Sequence, residues 1–498
     1  MNKPSFVKLS AAETHKVVLG AMIALFLAAL DQTIIATALP SIGSDLGDFH
    51  LMAWIVTAYL LTSTAATPIL GKLSDLHGRR PVMRASILIF LLGSVLCALS
   101  PSMPFLILAR ALQGFGGGGL ITLAQTVVAD VVSPRERGRY GAYFAGVWAG
   151  SSLLGPVLGG FLTEYASWHW IFWINLPIGL AAILITDRIL HRLTGRGGAR
   201  RIDYVSVLCF TVSSTTFLLA LSWGGTEFPW ASWQVIVAIA CSIVTGSIFA
   251  SRQRRLDEPI MPPRFFSDTV VTPVLIAVFL VFGAYLALAV LVPTFLQLSL
   301  QQSPRDVGLL MIPLLLSSTI GAAISGQYIH RTGGYKLPTL LGLPLAIACL
   351  VLLGILTPQA TPMMTAGLLL LAGLGIGPIF PIANVAAQNA VERRDLGAVS
   401  GAISFARALG GAAATAGGSA LVLGLMVAMM PARAADGGLT EILSHPLDAT
   451  ARLDLAHAYT VFVFIAAGIL AVGLFAFSRI EQRPLQDSRS VDTSVEIG

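Results

Sequence analysis

Fourteen apolar runs, most of them close to 20 residues or longer, are the feature that most limits how this 498-residue chain can fold. A helix needs roughly 20 apolar residues to cross the ~30 Å hydrocarbon core of a bilayer. Hydrophobic residues make up 55% of the chain and charged residues only 11%, too few to cover the surface of a soluble fold. The composition predicts an all-α integral membrane protein. It excludes a secreted disulfide scaffold, a disordered chain and a nucleic-acid-binding domain.

The runs also predict the domain organisation. They span residues 17–39, 51–70, 82–100, 104–129, 139–163, 171–190, 203–222, 233–251, 270–297, 308–329, 337–356, 362–387, 397–428 and 457–478. A weak internal repeat, at an offset of about 255 residues, relates the first six runs to the last six and leaves two between them. The predicted parts are a cytoplasmic segment at 1–16, a six-helix bundle at 17–190, two inserted helices at 203–251, a second six-helix bundle at 270–478 with an outer loop at 431–456, and a cytoplasmic tail at 479–498.

The positive charges orient these spans. With the N-terminus inside, 26 of the 31 lysines and arginines fall on one side, which is the bias expected of cytoplasmic loops. The exceptions are Arg305, Arg433 and Arg452 outside, and Arg110 and Arg407 within spans. We therefore expect fourteen spans with both termini in the cytoplasm. The expected location is a bacterial inner (cytoplasmic) membrane.

Two opposite charges lie inside predicted spans at similar depth. Asp31 is about 13 Å and Arg110 about 9 Å from the outer ends of their helices, at a rise of 1.5 Å per residue. Ionisable residues in the membrane usually face a bundle interior or a water-filled cavity and mark a transport path. A buried carboxylate can hold a proton in one conformation and release it in another. The alternative is a fixed pair that only neutralises itself.

Six segments carry a family resemblance. Residues 30–40 (LDQTIIATALP), 71–80 (GKLSDLHGRR), 110–116, 150–160, 168–177 and 297–313 occur in the order and positions expected of one group of transporters. The chain resembles the major facilitator superfamily, specifically its fourteen-span drug:proton antiporter branch. The resemblance implies the major facilitator fold with its helices arranged 6+2+6.

The resemblance also implies roles for particular residues. Asp31 and Arg110 would serve proton coupling and substrate binding. A cytoplasmic latch would use Gly71, Asp75, Gly78, Arg79, Arg80 and Asp130. An antiporter motif that limits leak would use Gly150, Gly155, Pro156, Gly159 and Gly160. The alternatives are ordinary cytoplasmic charges without gating, and glycines that only allow close packing.

The local sequence suggests how some of these groups work. Gly71 and Gly78 would permit a tight turn, and Asp75 would lie near a helix start, where the dipole favours it. The polar residues expected in a cavity are Gln32, Thr33, Gln113, Tyr285 and Gln297. In the second half, Tyr285, Gln297, Gln388 and Asn389 could offer polar contacts to a substrate or could equally join helices. Arg407 would be either a latch partner or a residue that extends towards the interface.

These features predict a proton-driven exporter of lipophilic or amphipathic compounds. We expect a largely apolar cavity with Asp31 and Arg110 as its charged features. The alternatives are a dedicated exporter of one endogenous metabolite or lipid, and a proton symporter. We expect no enzymatic activity, no metal and no cofactor beyond the proton motive force. The expected partners are small lipophilic substrates, protons and membrane lipid, with no nucleic acid. We expect a monomer, and accessory export proteins stay an open alternative.

Overall fold

The computed structural model describes residues 11–47, 51–190, 203–224, 228–429 and 449–485. Their sixteen α-helices are α1 (Ala11–Leu46), α2 (Met52–His77), α3 (Arg79–Ala98), α4 (Met103–Val131), α5 (Pro134–Tyr165), α6 (Trp170–Trp173), α7 (Asn175–Leu190), α8 (Tyr204–Trp223), α9 (Trp233–Gln253), α10 (Val271–Leu298), α11 (Pro304–Thr332), α12 (Lys336–Leu356), α13 (Pro362–Ile376), α14 (Ile379–Ala390), α15 (Leu396–Met429) and α16 (Ala449–Ser478). Most of the segment at 1–16, most of the outer loop at 431–456 and the tail beyond residue 485 lie outside the described residues.

The fold is all-α, as the composition predicts. Within the described residues, thirteen spans are long and apolar enough to cross a membrane, with α13 and α14 forming one of them. The predicted run at 362–387 is therefore interrupted, since α13 ends at Ile376 and α14 begins at Ile379. The predicted fifth span is helical as α5 but is not among the thirteen. Its seven glycines and its charged first turn lower its hydropathy. The count of fourteen spans stays a prediction.

The helices pack as two groups with a pair between them in the chain. Helices α1–α7, the first half, pack largely against one another, as do helices α10–α16, the second half. The halves meet where α2 packs on α15 and α5 packs on α11. Helices α8 and α9 pack together, and α8 lies against both α2 and α15. The inserted pair therefore covers one seam between the halves.

Large apolar side chains are exposed on the outer faces of the helices. Leu108, Val157, Leu184, Ile243 and Ile355 are each more than half exposed. In water such a surface would cause aggregation. In a bilayer the same side chains face hydrocarbon, which agrees with the composition.

One end of the bundle gathers the arginine-rich connections. We call it the basic end and define it by residues 71–80, 130–137, 330–336 and 393–398. Arg135 at the start of α5 donates hydrogen bonds of 2.8 and 2.9 Å to the carbonyl oxygens of His330 and Arg331 at the end of α11. Together with the packing of α2 on α15, these bonds close the basic end between the two halves.

Candidate substrate and proton pathway

Asp31 on α1 forms a buried ion pair with Arg110 on α4. The guanidinium Nη1 donates to the Asp31 Oδ2 over 2.6 Å, and both side chains are 1% exposed. Gln113 and Asn175 donate their amide hydrogens to the Asp31 Oδ1 over 2.8 and 2.9 Å. Three donors from α4 and α7 therefore surround the carboxylate. These hydrogen bonds fix α1 to both helices.

Arg110 makes further contacts besides its ion pair with Asp31. Its Nε donates to the backbone oxygen of Ile55 over 3.2 Å, and its Nη1 also donates to the Gln113 Oε1 over 2.7 Å. The guanidinium carbon lies 4.3 Å from the centre of the Tyr59 ring, a cation–π distance. The side chain is therefore held within the first half.

A cavity of about 310 Å³ lies between the two halves. It is lined by parts of α4, α5, α10, α11, α14 and α15. Neither Asp31 nor Arg110 lines it. The expectation that these two residues are the charged features of the cavity is therefore wrong. The reason is that each satisfies the other inside the first half, so neither charge turns towards the second.

Aromatic and amide side chains line the cavity instead. Phe282, Tyr285 and Phe380 form a cluster with ring centres 5.5 to 6.1 Å apart. Phe144 and Trp148 on α5 also line the cavity. Polar groups are few, which suits a site for lipophilic molecules. Besides the Tyr285 hydroxyl and the Trp148 indole N–H, they are Gln125, Ser152, Ser318, Thr319, Asn384 and Gln388, with Arg137 and Arg407 as the charged ones.

Arg407 on α15 supplies a cation to this cavity. Its guanidinium carbon lies 5.5 Å from the centre of the Phe282 ring. Its Nε is buried and has no hydrogen-bond partner among the described residues. Neither sequence alternative, a latch partner or a side chain extended to the interface, describes this position. Arg407 begins the fourth turn of α15, roughly 16 Å along the helix axis from its first residue, within the candidate span Leu396–Met426.

The antiporter motif places α5 close to α1. An added Cβ at Gly155 would lie 2.1 Å from the Thr33 Oγ1, and one at Gly159 would lie 2.3 Å from the Thr37 Oγ1. Thr33 donates a 2.8 Å hydrogen bond to the backbone oxygen of Ser151. These two glycines therefore allow the helices to touch.

The other three residues of the antiporter motif, Gly150, Pro156 and Gly160, do not pack against α1 in this way. No atom lies within 4 Å of a Cβ added at Gly150 or Gly160, and Pro156 is exposed. Close packing thus explains only part of the motif.

The predicted latch residues meet at the basic end. The Arg79 Nε donates to the Asp130 Oδ2 over 2.6 Å, and its Nη1 donates to the Asp75 Oδ1 over 2.5 Å. Among these residues, Asp75 connects the two halves. Its Oδ1 and Oδ2 accept hydrogen bonds of 2.9 Å from the backbone N–H groups of Gly397 and Ala398, respectively. Asp75 therefore caps α15 of the second half. Arg79 and Asp130 hold it in position.

Two details differ from the sequence expectation, those of Asp75 and Gly71, and that of Gly78 agrees with it. Asp75 lies near the end of its own helix, α2, and the helix start that it faces is that of α15. Gly78 does make the turn between α2 and α3, with a φ of 93°. Gly71 lies inside α2 instead, where an added Cβ would be 2.3 Å from the Gly397 carbonyl oxygen. It therefore permits contact between the halves and makes no turn.

The remaining predicted residues are distributed between the two regions. Arg80 pairs with Asp187 over 2.8 Å within the first half. Tyr285 lines the cavity and is 3.2 Å from the Ser318 hydroxyl. The other polar residues expected in the cavity, Gln32, Thr33, Gln113 and Gln297, do not line it. Gln113 belongs to the Asp31 network, and Gln297 is exposed near the end of α10.

Sequence reasoning missed several contributors. Asn175 appeared only within a family motif, although its amide contacts Asp31 and also the Ser94 hydroxyl over 2.9 Å. Tyr59, which stacks on Arg110, carried no signal at all. A signal was present for Arg407, because it is a charge within a span. The sequence could not show which helix faces it.

Comparison with known proteins agrees with this architecture. The Major Facilitator Superfamily matches residues 21–415 of the chain. The chain is similar to the multidrug transporter protein MdtP of Bacillus subtilis (strain 168), with 34% identity over 395 residues, 79% of this chain and 72% of that protein. It is similar to the MFS-type efflux pump LUC4 of Fusarium sp, with 35% identity over 392 residues, 77% of this chain and 70% of that protein.

A solved structure has the same fold. The crystal structure of the human organic anion transporter MFSD10 (TETRAN) superposes with a TM-score of 0.65 at 17% identity, covering 93% of this chain and 99% of that one. The resemblance in the six sequence segments is thus confirmed at the level of the family. The chain belongs to the Major Facilitator Superfamily of membrane transporters.

Proposed function

We propose that this transporter is a proton-coupled antiporter that exports lipophilic or amphipathic compounds by alternating access. In this proposal the basic end faces the cytoplasm of a bacterial inner membrane. The observation that carries the proposal is the buried Asp31–Arg110 pair, which is separate from the aromatic cavity but joined to it through α5. The relatives named as a multidrug transporter and an efflux pump support the export of small compounds.

Asp31 is the proposed proton carrier. Protonation removes the negative charge that holds the Arg110 guanidinium at 2.6 Å and weakens the hydrogen bonds from Gln113 and Asn175. A buried cation that loses its partner is costly, so the surrounding helices would rearrange. Because the network joins α1, α4 and α7, the protonation state of one carboxylate would bias how the first half packs.

The contact between α1 and α5 would carry this change to the cavity. Thr33 lies two residues after Asp31 on α1 and donates to the Ser151 carbonyl on α5. Ser152, the next residue of α5, lines the cavity. Proton and substrate would therefore compete through the packing of α1 on α5, without sharing one site.

The basic end supports a cycle between two states. Asp75 joins the halves through two backbone hydrogen bonds, and Arg135 joins them through two more. Breaking this set and re-forming it would open and close the cytoplasmic side. A bistable interface of this kind is what alternating access requires.

Transport by charge variants tests the proposal. Asp31→Asn alone leaves Arg110 buried without its counter-charge, so the double variant Asp31→Asn/Arg110→Gln is included to restore neutrality. Proteoliposomes with an imposed pH gradient would be assayed with a panel of lipophilic cations, neutral compounds and anions. We expect the double variant to fold, to bind substrate and to show no gradient-driven transport. The control Asp306→Asn changes an exposed carboxylate and should transport normally.

Gradient-driven export by the folded double variant at the wild-type rate would overturn the role of Asp31. Transport by the wild-type protein that is unaffected by collapse of the pH gradient would overturn proton coupling itself.

A further inference from the structure

Arg407 is the unusual feature of the cavity, because its charge has no counter-charge there. The lining contains two guanidinium groups, those of Arg137 and Arg407, and no carboxylate among the residues that the structure describes. Arg407 forms no ion pair with any described residue, and its Nε is buried without an acceptor. Arginines inside a membrane normally pair with an acid or with backbone oxygens.

Arg137 differs from Arg407 because it is tied to the protein. Its Nε and Nη2 donate to the backbone oxygens of Val132 and Ala129 over 3.1 and 2.5 Å. Arg110, which lies deep within a span of the first half, is paired with Asp31. Arg407 is thus the cation that the fold leaves available to a molecule in the cavity.

The surroundings of Arg407 specify the shape of that molecule. Its guanidinium lies over the ring of Phe282, which is 5.8 Å from Phe380 and 6.1 Å from Tyr285 between ring centres. Flat aromatic groups stack favourably on such rings. Elsewhere in the lining, the Asn384 Oδ1 has no hydrogen-bond partner among the described residues, whereas the Asn384 Nδ2 and the Ser318 hydroxyl donate to backbone oxygens of their own helices.

We propose that the cavity binds flat, amphipathic monoanions, whose acidic group pairs with Arg407 and whose aromatic body stacks in the cluster of Phe282, Tyr285 and Phe380. This inference rests on the proposed export function and names its substrate class. A carboxylate would supply the acceptor that the Arg407 Nε lacks, and a planar fork of N–H donors matches it well. A lipophilic cation would instead meet an unpaired positive charge and be disfavoured.

Three probes of nearly equal size test the inference on purified full-length protein, with no gradient present. They are 2-naphthoate, neutral 2-naphthamide and 2-naphthylmethylammonium. We expect wild-type protein to bind 2-naphthoate at least roughly tenfold more tightly than 2-naphthamide, as charge-assisted hydrogen bonds would give. We expect the ammonium compound to bind most weakly. Equal binding of 2-naphthoate and 2-naphthamide by wild type would overturn the inference, whatever the variants do.

Variants then assign the preference to Arg407. Arg407→Gln should bring the affinities for 2-naphthoate and 2-naphthamide to within about twofold of each other, while Arg407→Lys should keep part of the preference. The control Arg254→Gln removes the same charge from an exposed position at the end of α9 and should leave the preference unchanged. Retention of the full preference by folded Arg407→Gln would overturn the role of Arg407.

This result is independent of proton coupling. Binding is measured at equilibrium and does not require Asp31 to carry a proton. Anion preference without gradient-driven transport would refute the antiport proposal alone. Gradient-driven transport of cations or neutral compounds, with no anion preference in binding, would refute the substrate class alone.

Discussion

Lys72 on α2 and Glu258, in the segment after α9, form an ion pair with 2.7 Å between Nζ and Oε2. Six residues later in the same segment, Arg264 pairs with Asp395, which immediately precedes α15. One short connection from the inserted helices therefore contacts the first half through Lys72 and the second half through Asp395. Both contacts lie beside the Asp75 cap of α15. The insertion thus spans the joint that would open and close in the proposed transport cycle.

Glu258→Gln/Arg264→Gln is expected to weaken closure of the basic end. The two ion pairs join the halves only through this connection, so their loss should raise the population in which the ends have separated. Spin labels at cysteines replacing exposed His77 and Glu392, one on each half, would measure the separation by pulsed electron resonance.

The matched control is Asp257→Asn, which removes one exposed charge from the same connection. It should leave the distance distribution unchanged. If the double variant and the control give the same distribution, the connection does not stabilise the closed basic end.

Asp75→Asn should slow the transport cycle more than it weakens substrate binding. An amide offers one acceptor oxygen where the carboxylate offers two, and it loses the charge that faces the start of α15. We expect turnover to fall on the order of tenfold, since charge-assisted hydrogen bonds contribute about 1.5–3 kcal/mol. Equilibrium binding should change less than about twofold. Both are measured with the same transported compound.

Asp187→Asn is the control for that substitution. Asp187 pairs with Arg80 at the same end of the protein but within one half. Its turnover should stay near the wild-type value. A loss of binding in Asp75→Asn, with normal cycling of the substrate that does bind, would argue against a latch.

Gly155→Ala should destabilise the contact between α1 and α5. The added methyl group would lie 2.1 Å from the Thr33 Oγ1 and 3.0 Å from a backbone carbon, so the helices must separate. Overpacking of this kind costs about 1–3 kcal/mol. Reversible unfolding in mixed detergent would measure the change in the free energy of unfolding.

Gly150→Ala makes the same chemical change in the same helix where no atom lies within 4 Å. It should be neutral or slightly stabilising, because alanine favours helix formation over glycine by up to ~1 kcal/mol. Equal destabilisation by the two substitutions would show that α5 and α1 do not pack as described.

Asp203→Asn should lower the stability of the protein by an amount that varies with pH only in the acid range. A hydrogen bond from Arg252 lowers the pKa of Asp203 from its usual 3.8 to about 2. A carboxyl whose pKa falls on folding stabilises the protein above its unfolded pKa, and this effect is lost as pH falls towards the folded pKa. The wild-type advantage should therefore be constant from pH 7 to 5 and shrink between about pH 4 and 2.

Thermal unfolding in detergent at pH 7, 5, 4 and 3 would follow this difference, with Asp306→Asn as an exposed control. The ion pair between Asp203 and Arg252 joins the start of α8 to the end of α9 over 2.9 Å. Because the Arg252 side chain is 40% exposed, the loss of stability in Asp203→Asn should be small. A wild-type advantage that disappears between pH 7 and 5 would contradict the assignment.

Much of the fold followed from the linear chain. The apolar runs are long because a bilayer core is thick, and their positions coincide with helices α1–α5 and α7–α16. The interruption of the run at 362–387 was harder to foresee. Gly377 and Pro378 separate α13 from α14, but the apolar run continues across them and the two helices form one span. Hydropathy alone also does not identify α5 as a span, because two of its glycines, Gly155 and Gly159, lower the hydropathy while they allow close packing on α1.

The roles of the charged side chains could also be predicted only in part. The sequence placed Asp31 and Arg110 at similar depths, because depth follows from counting residues along a helix. It could not decide that they bond to each other and leave the cavity to Arg407, because that depends on how each helix is rotated about its axis. A charge within a span must find a partner or a cavity, and both are set by neighbours far away in the chain. The sequence by itself therefore determined the membrane helices, the basic end and the family. Only tertiary packing decided which charges are paired and which one faces the cavity.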